Sequence, residues 1–176
     1  MLSLVVALSA CSGGGYLSRC SMVSPVASKA PVYEDADMRV SLGIVNDRRF
    51  SVEVKNKTAE TMLLMWGNSG IVDVSGKPGR LMLELDSTKG SGRAEQSTTM
   101  LKPGGSARIS VYPADHVYID ERGMASVHPL YYNGSKPGKP KDIAGKHIGV
   151  NLVMEVNGHA KDMSFMLKAE PPTFGY

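Results

Sequence analysis

The feature that most constrains this chain is a two-residue hydrophobic period in short runs, each closed by turn-forming residues. Ile148, Val150, Leu152 and Met154 alternate with Gly149, Asn151 and Val153, Asn157-Gly158 follows, and a second run extends from Ala160 to Leu167. Alternation places successive side chains on opposite faces of a strand. Asn-Gly suits the positive-φ positions of a type I′ turn, so the pair predicts a hairpin. Val40, Leu42 and Ile44, then Phe50, Val52 and Val54, repeat the pattern around Asn46-Asp47-Arg48. Thr61 to Trp66 is a continuous apolar run suited to a central strand. Shorter candidates are Ile71–Val74, the Leu81–Leu85 run, Ala107–Tyr112 and Val117–Ile119. Polar or Gly/Pro-rich loops separate them at Asp86–Ser97, Lys102–Gly105 and Asn133–Lys146. No segment has a helical period. The expectation is an all-β fold: an immunoglobulin-like antiparallel β-sandwich of about eight strands.

Composition agrees with one ordinary domain. The 176 residues are 42% hydrophobic and 21% charged, enough for a core without metal or disulfides. The 19 Gly and 10 Pro are scattered, as many short turns require. A net charge of +3 is too small, and too dispersed, to suggest nucleic acid as a partner.

The N-terminus reads as an address. Leu2 to Ala10 is apolar and uncharged, too short to span a bilayer, which takes about 20 residues, but of the length of a secretory h-region. It ends in Leu8-Ser9-Ala10-Cys11, which is similar to the lipobox of bacterial lipoproteins. That resemblance implies cleavage before Cys11 and acylation of its thiol. The next residue, Ser12, is not Asp, which in two-membrane bacteria implies sorting to the outer membrane. No Lys or Arg precedes Cys11, a departure from the usual signal. Ser12-Gly13-Gly14-Gly15 begins a flexible stretch. The expected organisation is therefore a signal peptide over 1–10, a lipidated disordered tether over 11–37, the β-domain over 38–170 and a tail over 171–176. Cys20 falls in that tether, as a free thiol or a link to another chain.

One region resembles a known group. Asn56-Lys57-Thr58, Trp66-Gly67-Asn68-Ser69, Val72-Asp73, Gly76, Arg80-Leu81, Thr99 to Gly104 and Val111 to Asp115 occur in the order seen in uncharacterised bacterial envelope lipoproteins. The likeness covers roughly residues 50–119 and fades after Asp120. It implies location and a β-sandwich, not a reaction. The residues also have a physical reading: Trp66 as a core anchor, Asp73 and Gly76 as turn formers, and Arg80 as a cross-strand partner for Asp73.

Reactive constellations are sparse. His116, His128, His147 and His159 form no His-x-His or His-x-x-x-His pair, so no metal or other cofactor is expected. The Met62/Met65 and Met163/Met166 pairs are spaced for opposite faces of a strand, which suits core packing. There is no G-x-S-x-G nucleophile turn and no phosphate loop. Lys136, Lys139, Lys141 and Lys146 could meet an anionic surface, or serve as a solvated loop. The expected role is a non-enzymatic module, held to the membrane by lipid on Cys11 and contacting another envelope protein through sheet faces, loops or an exposed edge strand. A structural subunit of a secretion or pilus machine is the first alternative. A small cell-wall or glycan hydrolase is the second.

Overall fold

The computed structural model describes residues 20–45, 48–83, 97–130 and 144–170. The chain is all-β, with antiparallel pairing throughout and helix limited to two single 3-10 turns among these residues.

Thirteen strands are present among the described residues. One layer contains β1 (Cys20–Ser24), β13 (His159–Ala169), β12 (His147–Val156), β5 (Met62–Met65), β6 (Gly70–Val72) and β8 (Thr98–Leu101). The other contains β2 (Val32–Glu34), β3 (Met38–Val45), β4 (Arg49–Asn56) and β9 (Ser106–Pro113). Strand β7 (Pro78–Leu83) joins them, because its first half pairs with β6 and its second half with β9. The sheet thereby wraps into a nearly closed barrel. Strands β10 (Val117–Ile119) and β11 (Ala125–Val127) form a separate two-stranded ribbon.

The two hairpins read from alternation are present. Leu42 pairs with Val52, and the inward residues of both strands are buried. At the other hairpin Val156 pairs with His159, with Asn157 at φ 52° and Gly158 at φ 76°, as the Asn-Gly pair predicts. Met62, Leu64 and Trp66 alternate into the core, and β5 lies between β12 and β8. Side chains from both layers make one core, in which the Tyr33 ring meets Phe165 edge-on at 5.8 Å.

Two expectations differ from the structure. The strand count exceeds about eight because β1, β2, β8 and β11, of three to five residues, are too short to show a period. The ordered domain also begins well before Met38. Cys20 pairs with Ala169 and Val32 with Ser41, so part of the expected tether belongs to the sheet. Ser21 and Ser24 mask the alternation there, yet Cys20 and Met22 are core residues. Cys20 is a buried free thiol whose pKa burial raises, not a tether cysteine poised for another chain. Cys11, Lys136, Lys139 and Lys141 lie outside the described residues.

Candidate functional site

The motif residues come first, because the sequence singles them out. Each is used by the fold. Asn56 is wholly buried at the end of β4. Its Nδ2 donates to the carbonyls of Glu60 at 2.8 Å, Leu101 at 3.1 Å and Lys102 at 3.2 Å, and its Oδ1 accepts from the Thr58 amide at 2.9 Å and hydroxyl at 2.8 Å. It thus ties the 56–60 turn to the end of β8. Trp66 is buried and donates from Nε1 to the Thr99 hydroxyl at 2.8 Å. Ser69 solves a pairing problem. One edge of β12 pairs with β6 over Gly149–Asn151 and with β5 over Met154–Val156. Between these pairings the Val153 amide donates to Ser69 Oγ at 3.1 Å, while that hydroxyl donates to the Met65 carbonyl at 3.0 Å. A buried amide without such an acceptor is costly.

Asp73 and Gly76 form the turn from β6 to β7, as expected. Asp73 Oδ1 accepts from Ser75 N at 2.8 Å, Ser75 Oγ at 2.6 Å and Lys77 N at 3.0 Å, and Gly76 sits at φ 85°. The expected Asp73–Arg80 pair is absent. The register sets Arg80 opposite Gly70, and the turn's own donors take up the Asp73 carboxylate. Burial works to raise the Asp73 pKa, but those hydrogen bonds and nearby His116 outweigh it and the net shift is downward.

The structure does bring His116 and Asp73 together, beside Lys77, Arg80 and Asp115. The cavity they line is about 10 Å³, room for roughly one water and no substrate. His116 is buried, which lowers its pKa and keeps the ring neutral at pH 7. His128 lies next to it across the ribbon, with its amide donating to the His116 carbonyl at 2.8 Å and its ring stacked on Tyr118 at 4.1 Å. His147 and His159 sit at opposite ends of the β12–β13 pair. Among the described residues no three His, Cys, Asp or Glu side chains converge on a metal position. Lys146 is exposed just before β12.

The wider concavities are shallow and on the surface. One of about 450 Å³ is lined by Tyr118 to Arg122 at the ribbon tip, and one of about 340 Å³ lies on the outer face of β3, β4 and β9. Among the described residues the surface features that stand out are a strand edge without a pairing partner and a ribbon tip where Ile119 and Met124 are exposed beside Glu121 and Arg122. Among the described residues β1, β2 and β8 each have one edge of the large sheet unpaired. The chain folds back over β1, where Met22 and Ser28 exchange backbone hydrogen bonds at 2.8 and 2.9 Å. Strand β2 carries Glu34, paired with Lys57 at 2.9 Å. Among the described residues strand β8 carries neither device: Thr98 is exposed and Met100 is 66% exposed. An unguarded edge is a template for another strand. Sequence reasoning missed β8 because Thr98-Thr99-Met100-Leu101 shows one inward and one outward apolar residue, too few to read as a period. The ribbon was half legible: Val117–Ile119 shows as a strand, but β11 does not. Compared with family models, with curated proteins and with solved structures, the chain matches none.

Proposed function

We propose that this chain is a lipid-anchored envelope protein whose domain binds another envelope protein without catalysing a reaction. In this reading Cys11 carries the acyl chains, residues 12–19 are the tether, and the outer membrane is the site. The domain itself is read as an immunoglobulin-like sandwich in which β7 passes between the layers. The lipobox-like Leu8-Ser9-Ala10-Cys11 and the likeness to envelope lipoproteins support the anchor. The observation that carries the binding role is the β8 edge, unpaired among the described residues, with Met100 exposed on the strand. A partner strand added there would gain main-chain hydrogen bonds, and Met100 offers an adaptable apolar contact. The use of Asn56, Trp66, Ser69 and Asp73 in holding strands and turns supports a scaffold over a reaction centre.

Photocrosslinking in living cells tests this reading. A crosslinker at Thr98 or Met100 should give discrete protein adducts that Met100→Lys competes away when placed beside a crosslinker at Thr98. A crosslinker at exposed Lys168 should not give them. If Thr98 and Met100 yield no protein adduct, the edge is not a binding site and the reading fails. Acyl labelling that survives Cys11→Ala would refute the anchor separately.

A further inference from the structure

We propose that the β10–β11 ribbon is a membrane-contact tip, which seats Tyr118, Ile119 and Met124 in the interfacial layer of the bilayer that holds the anchor. The inference rests on the lipid-anchor reading for its geometry. It does not rest on the proposed partner edge.

Connectivity places the ribbon at the anchored end. Cys20 begins β1, and its thiol meets the backbone of Ile44 near the end of β3. The chain leaves β3 and re-enters β4 at Arg49, and Arg48, between them, donates from Nη1 to the Val127 carbonyl of β11 at 3.1 Å. The point where the tether joins the domain and the base of the ribbon therefore share one end of the sheet. However residues 12–19 run, eight residues reach roughly 26–29 Å at full extension. A flexible chain of that length averages about 16 Å between its ends. An acylated Cys11 would keep this end, and not the β8 edge, against the bilayer. Leu101 on β8 lies opposite Met62, toward the Asn56 end of the sheet.

The chemistry of the tip fits immersion. Tyr118, Ile119 and Met124 are 40%, 51% and 62% exposed, half of the large apolar side chains exposed among the described residues. Tyr118 pairs with Ser126 and Ile119 with Ala125, so Tyr118 and Ile119 point to opposite faces of the ribbon. A protein surface docked on one face would leave the other apolar side chain in water. A tip pushed into the interface covers both. Tyrosine is a preferred interfacial residue because its ring is apolar and its hydroxyl wet. The tip is held in one shape: Asp120 Oδ1 accepts from the amides of Arg122 and Met124, each at 2.9 Å, and Gly123 adopts φ 76°. Asp120, Glu121 and Arg122 leave the tip with a formal charge of −1, so anionic lipid should not strengthen the contact.

The test uses the full lipidated chain in phosphatidylcholine vesicles, with and without phosphatidylglycerol, whose acyl chains carry bromine. Trp66 is buried and gives a constant background. A second tryptophan is added as Ile119→Trp or, independently, Met124→Trp, with Met100→Trp as the distal control. The expected result is loss of emission at both tip positions in brominated vesicles, in either lipid mixture, with Met100→Trp unchanged. No quenching at either tip position overturns the proposal, and so does equal quenching at the tip and at Met100→Trp. Mass spectrometry of the N-terminal peptide reports acylation separately. Should Cys11 prove unmodified, the anchor reading fails, and the same quenching comparison on chain held by an N-terminal His tag to nickel-chelating lipid decides the tip by itself.

Discussion

Asn56 offers the sharpest test of the claim that the motif residues hold the fold together. Asn56→Ala removes the five hydrogen bonds that the Asn56 side chain makes to the 56–60 turn and to the end of β8. The Leu101 carbonyl lies in the fully buried part of the network, whereas the partners in the turn are only partly buried. Stranding one buried acceptor costs about 1–3 kcal/mol, and each partly solvated bond about 0.5–1 kcal/mol, because water replaces part of it. Taken at the low end of both ranges the five bonds sum to about 3 kcal/mol, with the backbone bond from the Asn56 amide to the Gly105 carbonyl retained. For a chain of this size that lowers Tm by roughly 6–12 °C. Urea unfolding followed through buried Trp66 measures it directly.

Asn56→Asp separates hydrogen bonding from packing. The isosteric carboxylate still accepts from Thr58 but faces the carbonyls of Glu60, Leu101 and Lys102 with no proton to give. At pH 7 it should be less stable than Asn56→Ala. Burial raises the pKa of such a carboxyl above its unfolded value, so the penalty is present above the folded pKa and fades as the pH falls below it. Asn56→Asp should therefore gain on Asn56→Ala between pH 7 and pH 4. An Asn56→Ala cost below about 0.5 kcal/mol, or a constant gap between the two variants across that pH range, would refute the reasoning.

Three further outcomes follow from the same structure. Ser69→Ala leaves the Val153 amide without its acceptor, so stability should fall by about 1–2 kcal/mol and exchange of that single amide should accelerate more than its neighbours' in hydrogen-exchange NMR. Asp35 is held at about 2: burial works to raise it, but hydrogen bonds from Lys161, from the Met38 and Asp37 amides and from Tyr33 outweigh burial. A depressed carboxyl stabilises above its unfolded pKa, so the advantage of the parent over Asp35→Asn, about 1 kcal/mol after solvent screening, should be full above about pH 4 and vanish toward pH 2 in urea titrations. Burial lowers the His116 pKa, so protonation favours the unfolded chain and stability should decline as the pH falls through about 6.5; His116→Gln should show a flatter urea midpoint between pH 7.5 and pH 5.5.

Long alternating strands were legible because a buried face demands a two-residue period. Val40 to Ile44, Phe50 to Val54 and Ile148 to Met154 each carry at least three inward residues, and Asn157-Gly158 fixes its own turn. What stayed hidden was short or borrowed its pairing from distant chain. Cys20–Ser24 is a strand because β13 offers it an edge, information that lies far along the sequence. Strand β8 depends in the same way on β5. The roles of Asn56 and Ser69 were illegible for another reason. Each satisfies backbone groups that become needy only once the sheet is assembled, so a window around either residue shows a polar turn and nothing more.

That hidden layer bears on function. The polar side chains most suggestive of chemistry in the sequence, from Asn56 through Asp73, are consumed at places where the ladder switches partner or turns. Among the described residues what remains uncommitted is peripheral: the β8 edge toward the Asn56 end, and the ribbon tip, with exposed Tyr118, Ile119 and Met124, at the end where β1 begins. A rigid barrel-like sheet separates the two. If the tip meets the bilayer and the edge meets a partner, the sheet sets the distance and orientation between them, and substitutions at one should leave the other's contact intact. Met100→Lys should abolish partner crosslinks without altering quenching at Ile119→Trp, and tip variants should do the reverse. Coupled losses would mean that both features serve a single interface, and the division of labour argued here would be refuted.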